Sequence, residues 1–215
     1  MRLLKKIASY IWDIPIEKSG SELNPYLEVV WSQGRKMLNA QNANYSFGNG
    51  YKVFERAFDE LKVLDNPPQS VLVLGFGCGS VEHLLQTVLG IKSVITGVEY
   101  DAEIIRLYQA HFAPESPAKV HCMDAREFLS NNQEQYDLIV VDLFQDLETV
   151  PMIYEGLFTD LILKASAPGG QLVYNTVKNA EHHDLFSELL LKLSTSFKEV
   201  GQIDFQEINR ILIAK

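Results

Sequence analysis

The sequence predicts an α/β chain with a doubly wound, mostly parallel sheet, and three observations carry that prediction. The stretch Ser70-Val-Leu-Val-Leu-Gly75-Phe-Gly77-Cys78-Gly79-Ser80 runs an apolar strand into three alternating glycines and then into a helical pattern. A strand apolar on both faces belongs between two helix layers. Three more strand-like runs, at 93–98, 119–123 and 136–141, each end in an acid: Glu99, Asp124 and Asp142. Between the runs, Val81, Leu84, Leu85, Val88 and Leu89, and then Ile104, Ile105, Tyr108 and Phe112, recur at a helical period. Alternating strands and helices imply right-handed β-α-β units, with any ligand lying beyond the carboxyl ends of the strands. Gly75, Gly77, Gly79, Glu99, Asp124 and Asp142 therefore converge on one crevice.

The other elements follow in order. Residues 1–12 form a short basic amphipathic segment, read as a docking helix or subunit contact in preference to a membrane-surface helix, since one short basic face binds membranes weakly. Residues 14–18, 26–31 and 35–39 read as short strands, with turns at 19–24 and 32–34. Phe54, Ala57, Phe58 and Leu61 mark a helix, which Asp65-Asn-Pro67-Pro68 ends. This linker divides an N-terminal β-rich appendage, 1–66, from a core, 67–215. After Asp142 comes a loop carrying Asp146 and Glu148, then a helix at about 152–165, a Pro168-Gly-Gly170 turn and a fifth strand through Tyr174. A helix at 184–193 and strand-like runs at 197–203 and 206–214 complete the chain.

Composition limits the function. At 215 residues and 47% apolar content, the chain can bury one sizeable core plus a small appendage. A net charge of −9 argues against broad binding to a phosphate backbone and agrees with a cationic or neutral small-molecule substrate. The two cysteines, Cys78 and Cys122, make no disulfide framework and point to a reduced, cytoplasmic protein. No apolar run reaches membrane-spanning length, and the N-terminus lacks a signal-peptide pattern. His182-His183 has no third partner at metal-ligand spacing, so no metal site is expected.

Adenosine recognition requires this set of residues. Glu99, about two dozen residues past the glycines, can accept from both ribose hydroxyls. Asp124 can accept from an exocyclic amine while the Ala125 N–H meets a ring nitrogen, and Asp142 faces the reacting end. A nicotinamide dinucleotide would also explain the glycines and Glu99. It leaves Asp124 unexplained, and the third glycine of G-x-G-x-x-G is absent.

On these residues, together with Asp124-Ala-Arg-Glu-Phe-Leu129 and Tyr136-Asp-Leu-Ile-Val-Val-Asp142-Leu-Phe, the chain from about residue 24 to 215 resembles the class I S-adenosylmethionine-dependent methyltransferase fold, in its spermidine synthase-like branch. The resemblance implies a seven-stranded Rossmann-like sheet whose last strand inserts antiparallel. It also implies a sulfonium donor, S-adenosylmethionine or its decarboxylated form, held by Gly75, Gly77, Cys78, Gly79, Glu99, Tyr100, Asp124, Ala125 and Asp142. Asp142 is the catalytic candidate, while Tyr45 and Asp146 are substrate candidates. Aminopropyltransferases usually read G-G-G-D-G in the loop, where Cys78 stands here, and their Tyr-His-Glu stretch is replaced by Ala43-Asn-Tyr45-Ser-Phe-Gly-Asn-Gly50. These departures favour a methyltransferase acting on a small amine or hydroxyl. The alternatives are aminopropyl transfer and a non-catalytic nucleoside-binding or assembly protein. The N-terminal strands are candidates for a cover over the site or a homodimer contact.

Overall fold

In the computed structural model the described residues are 6–41, 44–47, 51–145, 148–178, 183–205 and 209–215. Among the described residues, 6–8 are helical. Strands β1 (Ile14–Ser19), β2 (Leu27–Ser32), β3 (Arg35–Ala40) and β4 (Asn44–Ser46) then form an antiparallel sheet in sequence order. Its first three strands match the sequence pattern; β4 is additional. Gln33 (φ 49°) and Gly34 (φ 79°) form the two-residue β2–β3 turn, and paired positive φ values suit the twist of a tight hairpin. Ser9 ties the helical segment at 6–8 to this hairpin, accepting from the Gly34 N–H at Oγ and from the Gln33 N–H at its carbonyl. Residues 1–5 of the basic segment lie outside the described residues. Ile7, Tyr10, Ile11 and Trp12 are exposed.

Helix α1 (Tyr51–Glu60) buries Val53, Phe54, Ala57 and Phe58, then leads to the central strand β5 (Ser70–Leu74). A short α-turn, Ser80–Glu82, runs into a π-helical segment, His83–Val88; together they make α2. There follow β6 (Val94–Glu99), α3 (Ala102–His111), β7 (Lys119–Cys122), α4 (Ala125–Asn131) and β8 (Tyr136–Val141). A short pair, β9 (Phe144–Gln145) and β10 (Glu148–Thr149), precedes a 3-10 turn at Pro151–Tyr154 and α5 (Gly156–Ala165). The chain closes with β11 (Ser166–Val177), α6 (His183–Ser196), β12 (Val200–Phe205) and β13 (Asn209–Ala214).

Seven of these strands form one sheet in the order β12-β13-β11-β8-β5-β6-β7, the seven-stranded Rossmann-like sheet implied by the resemblance. β5 pairs in parallel with β6 and β8, as do β6 with β7 and β8 with β11, while β13 inserts antiparallel between β11 and β12. Side-chain alternation splits the core. Val71, Val73, Val140, Val173 and Ile211 pack on one face with α1, α2, α3 and the N-terminal sheet; Leu72, Leu74, Val141, Tyr174 and Leu212 pack on the other with α4, α5 and α6. Both faces are fully covered, which explains the near-continuous apolar runs.

Three local expectations are corrected. β7 stops at Cys122, so Asp124 caps α4 instead of ending a strand. The helix after Asp142 starts at Gly156, because Pro151 opens a separate 3-10 turn. Pro168-Gly-Gly170 lies within β11, where its register to β8 shifts between Ser166 and Gln171; an extra loop of backbone there is a bulge.

Gly75 holds β5 and β8 together at their carboxyl ends. It has φ 81°, and a Cβ there would sit 2.1 Å from the Asp142 carbonyl oxygen. Both the backbone conformation and the contact exclude a side chain. Gly75→Ala is expected to lower unfolding stability by about 3 kcal/mol or more, read by urea denaturation with Gly90→Ala (φ 69°, nothing near its Cβ) as the control for backbone strain alone.

Candidate active site

Glu99 ends β6 and is buried at 6% exposure beneath the glycine loop. Its Oε2 accepts from the Gly77 N–H (2.9 Å), and its Oε1 accepts from the Tyr100 (2.9 Å) and Asp101 (3.0 Å) N–H groups. Burial raises its pKa, opposed by these three bonds. A carboxylate offers about four acceptor positions, so three are taken and one, on Oε2, stays open. As arranged, Glu99 can receive one ribose hydroxyl; accepting both requires the Gly77 N–H to let go.

Asp142 lies just beyond β8, its backbone N–H donating to the Leu74 carbonyl (2.8 Å). Its Oδ1 accepts from Asn175 Nδ2 (2.8 Å), and Asn175 Oδ1 accepts from Asn209 Nδ2 (3.2 Å). Loss of hydration pushes the Asp142 pKa up to about 6; the Asn175 amide opposes the shift and the Glu99 charge adds to it. Among the described residues, no Lys or Arg pairs with Glu99 or Asp142. The two acids occupy the same face of the sheet; the Glu99 charge raises the cost of ionising Asp142, and the Asp101 charge raises that of ionising Glu99.

Asp124 is the N-cap of α4, with Oδ1 accepting from the Arg126 (2.8 Å) and Glu127 (3.0 Å) N–H groups. Oδ2 is left for an amine. Ala125, buried at the first position of α4, has the N–H that a helix start leaves without an intrahelical acceptor. Tyr100 is exposed and lines an adjoining open cleft with Ser21, Leu23, Cys122 and Met123.

Cys78 departs from a direct binding role. Its thiol is fully buried against the core and lies 3.9 Å from the Ile104 carbonyl, its N–H donates to Ser46 Oγ (3.0 Å), and burial pushes the thiol pKa up. Gly79 is reserved for packing: a Cβ there would meet the Tyr108 ring at 2.9 Å and Glu82 Oε2 at 3.0 Å. Of the loop residues, Gly77 is the one whose N–H donates to a candidate binding carboxylate, at Glu99 Oε2. Tyr45 falls in β4, but its side chain, like that of Tyr51 and all of Asp146, lies outside the described residues. His183 is exposed with Asp184 3.6 Å away, and His182 is also outside the described residues.

Sequence reasoning missed several supporting residues. Asn175 and Asn209 sit in strand-like runs and show themselves only as polar breaks in apolar stretches. Glu82 is buried and accepts from the Tyr108 hydroxyl (2.7 Å) and the Ala118 N–H (2.6 Å), bracing the loop from behind. Its signal is an acid beside the apolar stripe of α2. Asp101 caps α3 through the Glu103 N–H and also accepts from Ser21 Oγ and Asn24 Nδ2 (2.8 Å), joining the β1–β2 loop to the site.

The fold is that of the class I methyltransferase-like α/β proteins, with a glycine loop and acids gathered at the carboxyl ends of its parallel strands. The sequence matches the Spermine/spermidine synthase domain over residues 58–205, and the chain belongs to that family. It is 29% identical over 175 residues to a probable polyamine aminopropyl transferase of Bifidobacterium longum, covering 76% of this chain and 38% of that protein. It is 26% identical over 199 residues to a polyamine aminopropyltransferase of Sulfolobus acidocaldarius, covering 87% and 65%. The chain thus spans less than two thirds of either relative. A probable spermidine synthase from Corynebacterium glutamicum superposes with a TM-score of 0.68 at 21% identity, over 95% of this chain and 77% of that one, which establishes the shared fold. Among the described residues, no helix is long and apolar enough to cross a membrane.

The raised Asp142 pKa sets a pH dependence. Protons bind more tightly in the folded state, so stability falls as pH rises from 3.8 to about 6 and then levels off. Asp142→Asn removes this penalty while keeping an oxygen for Asn175. The variant is expected to be more stable than the parent by up to about 3 kcal/mol at pH 8, the gap closing below pH 3.8, measured by denaturation across that range.

Proposed function

We propose that this protein transfers an aminopropyl group from decarboxylated S-adenosylmethionine to a small amine acceptor. One observation carries the reading: Glu99 and Asp142 stand level on one face at the carboxyl ends of β6 and β8, where such a sheet holds its ligand crevice, both with pKa values raised by burial and with no Lys or Arg paired to them among the described residues. Such a crevice favours a cationic ligand. The decarboxylated donor brings a sulfonium and an ammonium and no carboxylate, whereas S-adenosylmethionine brings a carboxylate that these acids repel. Family membership, and relatives described as polyamine aminopropyltransferases, support the same choice. The methyl-transfer expectation rested on Cys78 and on the replaced Tyr-His-Glu stretch; family membership and the aminopropyltransferase relatives weigh against it.

The sulfonium supplies an activated carbon: the acceptor nitrogen bonds to it, the carbon–sulfur bond breaks, and the electron pair leaves on a neutral thioether. The chain has three tasks. Glu99 Oε2 and the glycine loop hold the ribose; Asp124 and Ala125 hold the adenine edge; Asp142 aligns the acceptor and takes up its proton. A carboxyl group of pKa about 6 is a better base than an ordinary Asp, though still weak against an amine near 10. Its larger contribution is electrostatic: it attracts the cationic acceptor and favours loss of its proton beside the developing charge.

Calorimetry with the decarboxylated donor, S-adenosylmethionine and S-adenosylhomocysteine is expected to show the decarboxylated form binding tightest. Its binding should release part of a proton near pH 6 and almost none at pH 8, because the ligand's charge draws Asp142 into ionisation. Incubated with a diamine, the protein should form the aminopropyl adduct, and Asp142→Ala should lower kcat about 100-fold or more. A preference for S-adenosylmethionine would reinstate methyl transfer. Binding without turnover on any amine would identify a nucleoside-binding protein.

A further inference from the structure

Three polar side chains form a lateral row across the carboxyl end of the sheet. β8, β11 and β13 are neighbours, and the register sets Tyr174 beside Val141, so that Asn175 follows level with Asp142. Across the antiparallel pair, Asn175 stands opposite Ile211 and Val177 opposite Asn209, which makes Asn175 and Asn209 diagonal neighbours on one face. The bonds follow this row: Asn209 Nδ2 donates to Asn175 Oδ1, and Asn175 Nδ2 donates to Asp142 Oδ1. Asn175 is 4% exposed.

The direction of this chain is fixed. With its oxygen committed to Asn209, the Asn175 amide presents N–H to Asp142; turned over, it would press its carbonyl against a carboxylate oxygen. Oδ1 of Asp142 is thereby held as an acceptor, and Oδ2 has no protein donor among the described residues. We infer that Asn175, itself oriented by Asn209, is the positioning residue that dedicates Asp142 Oδ2 to the acceptor's proton. Glu99, at the end of β6, is the charged group that acts on Asp142 from the neighbouring elements, among the described residues. Asn175 and Glu99 oppose each other: the amide stabilises the carboxylate and the acid destabilises it. Their balance sets the pH at which Oδ2 can accept a proton. The inference rests on the aminopropyl-transfer reading for its acceptor, but the hydrogen-bonded row exists in the free protein and can be tested there.

Two readouts separate the claims. In the free protein, the 13C shift of the Asp142 carboxyl is titrated; in the enzyme, the acidic limb of kcat/KM against pH is recorded with a diamine acceptor. Asn175→Ala should move both midpoints up by about one pH unit, which lowers kcat/KM about tenfold at a pH below the limb and little at pH 9. Asn175→Asp should move them further, because two adjacent carboxyls then share a proton. Asn209→Ala, remote from the crevice, should produce a smaller shift of the same sign, and it serves if Asn175 variants do not fold. A purely structural role would reduce activity equally at all pH values. The inference is overturned if neither midpoint moves in Asn175→Ala and Asn209→Ala, or if the carboxyl titration moves while the kinetic limb stays put. If the titration moves but the parent protein transfers no aminopropyl group, the row stands and the proposed reaction fails.

Discussion

A carboxylate buried under a turn of backbone organises this molecule. Glu99 collects the N–H groups of Gly77, Tyr100 and Asp101, so one side chain closes both the glycine loop after β5 and the turn after β6. The Gly77 and Asp101 donors would otherwise be buried without an acceptor, at about 1–3 kcal/mol apiece. The loop's conformation, the start of α3 and the position of the open acceptor on Oε2 all follow from this one group. Glu82 repeats the arrangement behind the loop, satisfying Tyr108 and the segment leading to β7 from inside the core.

The N-terminal sheet is fastened to the same structure at several points. Ser46 accepts from the Cys78 N–H, and the Phe47 N–H donates to Ser80 Oγ, so both sides of the loop's end are clipped by β4 and the residue after it. Phe47 also stacks on Phe112 at the end of α3, with 5.2 Å between ring centroids. Around α3, Ser19 bonds Glu103, and Glu17 bridges Arg106 and His111. Side chains from both parts of the chain share one apolar core on this face of the sheet. Movement of the N-terminal sheet would therefore be felt directly at the glycine loop.

The electrostatics of the crevice follow from what the sheet brings together. Parallel strands deliver Glu99 and Asp142 to the same edge and the same face, and neither has a positive partner among the described residues. Burial raises the pKa of both acids, and the Glu99 charge adds to the shift at Asp142, so the protein holds them at some cost to its own stability. Membership of the spermine/spermidine synthase domain family is consistent with the cationic ligand proposed for this crevice. The polar row through Asn175 and Asn209 then gives one of those acids a fixed orientation.

The sequence by itself determined the strand order's raw material: apolar runs ending in acids, glycines after the first of them, and helical stripes between. These signals are local and periodic, so β5 to β8 and the helices between them could be read directly, as could the places of Glu99 and Asp142 at the ends of β6 and β8. The tertiary structure alone decided what each site residue has left to offer. Cys78 stands in the loop, and only the packing shows its thiol turned into the core as a small buried filler. The missing side chains of Gly75 and Gly79 also make room for the Asp142 carbonyl just past β8 and for a tyrosine of α3. Asn175 and Asn209 are locally no more than polar breaks in apolar stretches, since 34 residues and an antiparallel insertion separate them before the sheet register sets them side by side. Periodicity reports which face a residue occupies; only the packed sheet determines which neighbour completes its hydrogen bonds.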